Sequence, residues 1–297
     1  MTVPGHRHQL PRLALLLLVA TLAALGCRDA TQDGRGEAAP PAAGVTDAAG
    51  REFGLDASPR RIISLVPSAT EVLLALDVGE RLVGRTDFDT ASALAPLPSV
   101  GGGLGPSLEV IVSLRPDLVI RFAGEADRRT PSRLDELGIA HFAVQPDRLE
   151  DARAIIADLG RLTGRNSVAD SILAEIDGRL ERVAASVAGA APVATAFLMD
   201  GTPPWAAGPG SFIGELITLA GGQNVFSDLD RRYAPVSAEE VVARGLDVVL
   251  TPMGARPGGV PAGVRLVEVS ALTQLPGPRL GEAAEEIARA LHPELLR

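Results

Sequence analysis

From Arg61 onward, short apolar runs alternate with stretches whose apolar residues recur every three or four positions. Ile62 to Val66 reads as a strand. Ser68-Ala69-Thr70-Glu71 has the spacing of a capping box and predicts a helix running to about Gly79. Leu82 to Gly84 reads as a short strand, Ser107 to Leu114 as a helix and Leu118 to Phe122 as a strand. Ser132 to Leu137 then reads as a helix and Ala140 to Val144 as a strand. Strands alternating with helices in this way predict a parallel sheet.

The pattern then repeats. At an offset of 130, Ser107-Leu-Glu-Val-Ile-Val runs against Ser237-Ala-Glu-Glu-Val-Val, and Asp117-Leu-Val-Ile against Asp247-Val-Val-Leu. At an offset of 143, Ser68, Leu73, Leu76 and Gly79 meet Ser211, Leu216, Leu219 and Gly222. A longer loop between Gly84 and Ser107 absorbs the difference. Chance likeness between strand–helix units is the alternative; two matched helices in the same order favour duplication. Between the halves, a segment from Leu149 to Val187 is broken by Thr163-Gly164-Arg165-Asn166. Beyond the break Val168, Ile172, Ile176, Leu180 and Val183 mark one helix through Ala188. At 1.5 Å per residue it is about 35 Å long, enough to run the height of two lobes. The expected fold is α/β: two similar lobes with mainly parallel sheets, joined by one long interdomain helix. Such a connector resists bending, so hinge motion should be small.

The chain's start adds a compartment. Arg7 and Arg12 precede an apolar run from Leu13 to Leu25, 13 residues long, which suits a signal-peptide core and is too short to span a bilayer. It ends at Ala24-Leu25-Gly26-Cys27, similar to the lipobox at which bacterial lipoproteins are cleaved and acylated. Cys27 is the only cysteine, so no disulfide can form within the chain. A buried apolar cysteine is the alternative, but polar sequence follows it, which favours a lipid anchor. Residues 28 to 44 hold almost no large apolar side chain and read as a tether. The expected layout is a signal peptide over 1–26, an anchored tether over 27–44 and an N-terminal lobe over 45–147. Connecting helices follow over 148–189 and a C-terminal lobe over 190–297. The net charge of -9 argues against nucleic acid, since no basic run with interleaved aromatics is present.

Four stretches resemble one family. RIISLVPSATEVL from Arg61, SLEVI…RPDLVI from Ser107, AGPGSFIGEL…AGGQNVF from Ala207 and VSAEEV from Val236 are similar to periplasmic binding proteins for cobalamin, haem and ferric siderophores. The likeness covers about residues 45 to 297 and is nearest to the cobalamin receptors. It implies a ligand cleft between the lobes and capture of a cobalamin-type corrinoid for an ABC permease dimer with ATPase subunits. The protein would be an extracytoplasmic, lipid-anchored monomer with no cofactor and no catalysis of its own. It also implies docking on the permease through one acidic residue per lobe, Glu109 and Glu239 by motif. The plainer alternative makes both first-turn carboxylates that complement a helix dipole, a role that suits Glu240 better.

Open α/β sheets place ligands beyond the carboxyl ends of their strands. Candidate segments are Thr86-Asp87-Phe88-Asp89, Phe122-Ala-Gly-Glu125, Asp200 to Trp205, Arg231-Arg232-Tyr233 and Thr251-Pro-Met253. Trp205 and Tyr233 are the chain's one Trp and one Tyr, both expected in loops. A flat amphipathic ring there suits a macrocycle; covering a core edge is the alternative. In the resembling receptors aromatics lie near Phe88, Phe122, Trp205 and Tyr233, and Asp87 adjoins them. Gly101-Gly102-Gly103 and Ala271-Leu272-Thr273 stand where those receptors can carry tryptophans, so this cleft is poorer in aromatic walls. Haem or a ferric siderophore is therefore the alternative ligand. His6, His8, His141 and His292 form no cluster, so no metal site is expected. Arg231 and Arg232 suit an acidic ligand, though solvated arginines are commoner. Of another class are a non-transport surface lipoprotein and a hydrolase built on Gly208-Pro-Gly-Ser211. That loop lacks both the phosphate-loop lysine and the Gly-x-Ser-x-Gly of a hydrolase elbow.

Overall fold

A computed structural model describes Met1 and residues 44–55, 57–124 and 127–295. The leader, Cys27 and the tether up to residue 43 lie outside the described residues, as does Glu125. Strands β1 (Val45–Thr46) and β2 (Glu52–Phe53) pair antiparallel as a small hairpin. Its turn is held by the buried Asp47, whose carboxylate accepts the amides of Ala49 at 2.9 Å and Arg51 at 2.8 Å.

The first lobe follows as β3 (Ile62–Ser64), α1 (Pro67–Ala75), β4 (Leu82–Gly84), α2 (Leu108–Leu114), β5 (Leu118–Phe122), α3 (Arg129–Glu136) and β6 (His141–Val144). The strands lie in the order β4-β3-β5-β6, all parallel. Helix α1 starts one residue before the expected box. Val66 is the N-cap and Pro67 the first helical residue, whose ring already holds the helical φ. Ser68 is therefore buried inside the first turn and caps nothing. Helix α3 likewise begins earlier than expected, at Arg129, because Asp127 accepts the Thr130 amide at 3.0 Å.

Two helices connect the lobes: α4 (Leu149–Thr163) and α5 (Asn166–Ser186). Gly164, at φ 71°, makes the left-handed stop between them, a conformation only glycine adopts freely. The 21 residues of α5 rise about 32 Å, and it ends two residues before the expected Ala188. The second lobe comprises β7 (Val193–Met199), β8 (Trp205–Ala207), α6 (Phe212–Leu219), β9 (Gly222–Asn224), β10 (Tyr233–Pro235), α7 (Ala238–Ala243), β11 (Val248–Pro252), β12 (Arg265–Val269) and α8 (Leu280–Leu291). Its parallel order β9-β7-β11-β12 reproduces that of the first lobe. Beyond β9 the free edge of β7 takes β8 antiparallel, and β10 pairs outside β8. No described helix lies between β11 and β12, where the first lobe has α3. Among the described residues no helix is long and apolar enough to cross a membrane.

The duplication is visible atom by atom at the offset of 130. The Ser107 hydroxyl accepts the Val110 amide at 3.4 Å, and Ser237 accepts the Glu240 amide at 3.1 Å. Asp117 accepts the amides of Arg60 and Arg61 at 2.8 and 3.0 Å, and Asp247 accepts that of Ala194 at 3.0 Å. Each carboxylate thus fixes the start of its lobe's first strand. At the other offset the match is looser: Ser211 is an N-cap, accepting Gly214 N–H at 3.1 Å, and Ser68 is not.

Period-two alternation assigns the two faces of each sheet. Ile62, Leu118 and Ile120 in one lobe, with Phe197, Val248 and Leu250 in the other, join one continuous core with α1, α4, α5, α6 and α8. Their neighbours turn the other way. Ile63 and Val119 pack with Ile111 of α2, and Ala196, Leu198 and Val249 pack with Val241 of α7. Helices α2 and α7 therefore sit on the sheet faces opposite the connecting helix.

Two predictions follow from local chemistry. Arg115 ends α2 at φ 47°, where its counterpart Gly245 sits at 64°. Arg115→Gly should raise unfolding stability by about 1 kcal/mol, because an L-residue in the left-handed region carries a cost of that order; urea denaturation reads it. His141, buried on β6, receives Arg121 Nε and an Arg51 guanidinium nitrogen, each 2.8 Å from Nδ1. Arginine only donates, so Nδ1 accepts and the proton sits on Nε2, 3.0 Å from Asp135. Burial, and then the two guanidinium charges against the partly opposing Asp135, hold the His141 pKa below its ordinary 6.5. The unfolded state then binds more protons, so stability is full above about pH 6.5 and falls as pH drops below it. In His141→Asn that part of the pH–stability curve should flatten.

Candidate ligand cleft between the lobes

The segment after β6 forms the floor where the lobes meet. Phe212 N–H, opening α6, donates to the Asp147 carbonyl at 2.7 Å. The Asp147 carboxylate accepts Gln145 Nε2 at 2.5 Å and pairs with Arg232 at 3.0 Å. One residue on, the Glu215 carboxylate of the second lobe accepts Arg148 Nε at 2.9 Å and the Leu149 amide at 2.8 Å. Glu215 thereby satisfies one of the free amides at the start of α4 and lies at the favourable end of its dipole. On the far side of α1, Arg279 reaches Glu71 at 3.2 Å.

Above this floor the carboxyl ends of β3, β5 and β6 face the second lobe. Pro67, Phe122 and Gln145 line a hollow of about 290 Å³ with Phe212, Gln274 and Leu275. Hollows of about 430 Å³ also lie between α1, α5 and α8, and beside the Gly208–Gly214 turn. The smaller one sets the strand ends of the first lobe against Phe212 and the Gln274–Leu275 segment of the second, so it is the candidate. Its volume is near the lower bound for small-molecule sites, so a macrocycle would rest with much of its area on the open rim.

Large apolar side chains stand exposed beyond strand ends in both lobes. In the first lobe Thr86-Asp87-Phe88-Asp89 is pinned at both ends. Asp89 accepts the Thr86 amide at 2.7 Å and its hydroxyl at 2.8 Å, while Asp87 accepts Ser99 Oγ at 2.5 Å. With its neighbours held, Phe88 is left 67 % exposed, and Leu104 nearby is 51 % exposed. The half-buried Phe122 packs beside Gly103. In the second lobe Trp205 is 45 % and Met253 71 % exposed at the carboxyl edge of the sheet.

Trp205 and Tyr233 are not in loops, contrary to expectation. They lie on β8 and β10, with Pro235 opposite Trp205 and Ala207 opposite Tyr233. Equal parity puts both rings on one face of that pair, where a loop reading had no means of relating them. Tyr233 is half-buried against the core, and burial followed by the Asp147 charge pushes its phenol pKa above the ordinary value. Arg232 is tied to Asp147, whereas Arg231 is exposed and makes no ion pair with a described residue.

Glu109 and Glu239 stand outside the cleft, exposed in the first turns of α2 and α7. Ser237 caps α7 by accepting the Glu240 amide at 3.1 Å, while the Glu240 carboxylate accepts Arg244 at 3.1 Å. Ser211, the hydrolase candidate, is fully buried and donates to the Gly208 carbonyl at 2.7 Å while capping α6. A nucleophile so placed reaches no substrate. Among the described residues no group of His, Cys, Asp and Glu is placed to hold a metal. Asp147, Glu215, Leu104 and Gln274 escaped sequence reasoning. Glu215 and Arg148 are 67 residues apart in the chain, and no local pattern signals such a pair.

Like-built lobes, a helical connector and strand ends converging on one cleft define a bilobal binding-protein architecture. Residues 62–263 match the periplasmic binding protein family, and the chain belongs to it. A cobalamin-binding protein of Halobacterium salinarum is 33% identical over 218 residues, covering 70% of this chain and 58% of that one. The chain thus spans less than two thirds of the halobacterial relative. A vitamin B12-binding protein of Photorhabdus laumondii is 27% identical over 254 residues, covering 80% of this chain and 90% of its own. Among solved structures, a periplasmic haem-binding protein from Roseiflexus sp. RS-1 in apo form superposes with a TM-score of 0.70. It is 27% identical, with 80% of this chain and 99% of that chain covered. The periplasmic vitamin B12-binding protein of Vibrio cholerae shares the fold at a TM-score of 0.69 and 24% identity, covering 79% and 97%.

The glycine run on the rim separates two effects. A Cβ on Gly103 would collide with the Leu65 carbonyl oxygen and crowd the Phe122 ring at 3.2 Å, whereas at Gly102 it would meet Leu104 O at an ordinary 3.5 Å. Gly103→Ala should cost about 1–3 kcal/mol as overpacking, and Gly102→Ala should cost close to nothing. Thermal unfolding of the two variants, compared side by side, checks this.

Proposed function

We propose that this chain is the extracytoplasmic substrate-binding subunit of an ABC importer, anchored through lipidated Cys27, and that it captures a cobalamin-type corrinoid between its lobes. The observation that carries the ligand reading is the pair of apolar rims, Phe88 with Leu104 on one lobe and Trp205 with Met253 on the other. A tetrapyrrole offers two broad faces to such rims, and flat rings meet them at low entropy cost. Relatives named for cobalamin and vitamin B12 support the choice. Asp87, Phe88, Phe122, Trp205 and Tyr233 would contact the ligand. Glu109 and Glu239 would dock the loaded protein on the permease; both are exposed carboxylates at matching positions of the duplicated unit, and neither makes a hydrogen bond or ion pair with a described residue. ATP hydrolysis would belong to other subunits.

The second reading keeps the architecture and exchanges the ligand for haem or a ferric siderophore. The unpaired Arg231 favours it, since a guanidinium beside the cleft suits a carboxylate-bearing macrocycle. The haem-binding relative from Roseiflexus gives it further support.

Calorimetric titration of the full chain with cyanocobalamin and with haemin separates the two. Cyanocobalamin should bind at one site with micromolar Kd or tighter, quenching the fluorescence of Trp205, the only tryptophan. Phe88→Ala and Trp205→Ala should each weaken it by about tenfold, the equivalent of about 1.4 kcal/mol. Binding of haemin alone would move the assignment to the second reading, and binding of neither would remove the tetrapyrrole class.

A further inference from the structure

Helices α2 and α7 match in what they expose as well as in what they bury. Ile111 and Val241 are fully buried and fix how each helix lies on its sheet. With those positions turned inward, Glu109 and Val112 face outward on α2, and Glu239 and Val242 do so on α7. Each Glu and Val are three residues apart, so they are neighbours on one helical face. Val112 is 42 % and Val242 58 % exposed, and the two are related by the offset of 130. The two carboxylates make no hydrogen bond or ion pair, whereas the next carboxylate along, Glu240, is engaged by Arg244.

A single exposed valine calls for no explanation, because over half of any protein surface is apolar. Two exposed valines at the same place in a duplicated unit, each one turn from an uncompensated carboxylate, call for one. The sheet faces that carry them are both opposite the connecting helix. A partner that meets both must present two equivalent seats, each with a cation beside an apolar socket, and two copies of one membrane subunit supply that.

We propose that Val112 and Val242 are the apolar half of the permease contact, each buried in a socket beside the cation that receives Glu109 or Glu239. The proposal rests on the docking reading above and adds residues whose contribution is independent of salt. Charge steers the encounter and is screened by ions, while buried apolar area is not. The valines would therefore set how long the complex lasts.

The test uses the full chain and the cobalamin-importing permease–ATPase complex of the same cell, reconstituted in nanodiscs, with binding measured at low and high salt. Val112→Asn and Val242→Asn should each weaken binding by about fivefold to tenfold at both salt concentrations, mainly through faster dissociation. Glu109→Gln with Glu239→Gln should weaken it at low salt and flatten its salt dependence. The isosteric pair Val112→Thr and Val242→Thr keeps the helix shape and should weaken binding in the same salt-independent way. Unchanged cyanocobalamin affinity and melting temperature in every variant would show that the lobes are intact. If both valine pairs bind like wild type while the glutamate pair is impaired, the apolar contact is wrong and the docking reading survives. If the glutamate pair also binds like wild type at low salt, the docking reading fails and this proposal fails with it.

Discussion

The cleft depends on how the chain closes its floor. Where the first lobe gives way to α4 and meets the start of α6, three backbone groups would lack partners within their own elements: the Asp147 carbonyl and the amides of Phe212 and Leu149. Phe212 N–H meets the carbonyl, and the Glu215 carboxylate takes the Leu149 amide. Main-chain groups withdrawn from water need partners, so these bonds tie the lobes together at the floor in addition to the helix that joins them. The Asp147–Arg232 pair lies over them, with both side chains still partly wet. A pair so exposed adds little stability by itself; its effect is to occupy the Arg232 guanidinium and to keep a negative charge beside the Tyr233 phenol.

From that floor, duplication does the rest. Each lobe repeats strand, helix, strand, helix, strand, and each sheet uses its alternation to bury one face under the shared helices and the other under α2 or α7. The lobes differ where a binding protein has reason to differ. The first closes its outer edge with the β1–β2 hairpin, whose Asp47 carboxylate accepts the Ala143 amide at 2.9 Å. The second inserts β8 and β10 at the carboxyl end of β7, and that insertion carries Trp205 and Tyr233. On the proposed reading, one aromatic wall would come from a loop pinned by aspartates and the other from a short antiparallel ladder.

Much of this was legible from residue pattern. The strands Leu82–Gly84 and Leu118–Phe122 fall where the apolar runs placed them, and the Thr163–Asn166 break falls between two helices. The offset of 130 pointed to capping serines and strand-starting aspartates that prove to be equivalent in space. What failed was local competition and long-range pairing. Ser68 had the spacing of a cap, but Pro67 preset the helical φ one residue earlier. Trp205 and Tyr233 sat among prolines, glycines and charges, and strands of three residues leave no periodicity to read. Glu215 reads as an ordinary first-turn carboxylate until the other lobe's helix is brought against it.

On the proposed reading, selectivity between a corrinoid and haem lies at the rim and not at the floor. The floor is a narrow hollow in which Gln145 and Asp147 are already paired, while Ser68 and Gln274 line it without a side-chain hydrogen bond to a described residue, so it can reject bulk and has two polar side chains to offer. Gly103 must be glycine because its backbone lies against the Leu65 carbonyl, and this keeps the first lobe's wall low between Phe88 and Phe122. A low wall admits a ligand with groups projecting from its face, as a corrinoid has, more readily than two tall aromatic walls would. The exposed Arg231 pulls the other way, toward a ligand with acidic edges. The same rim therefore carries a steric argument for one macrocycle and an electrostatic argument for the other. The steric term acts over the whole ring face, whereas a solvated guanidinium contributes weakly and is screened by salt, so the balance falls to the corrinoid.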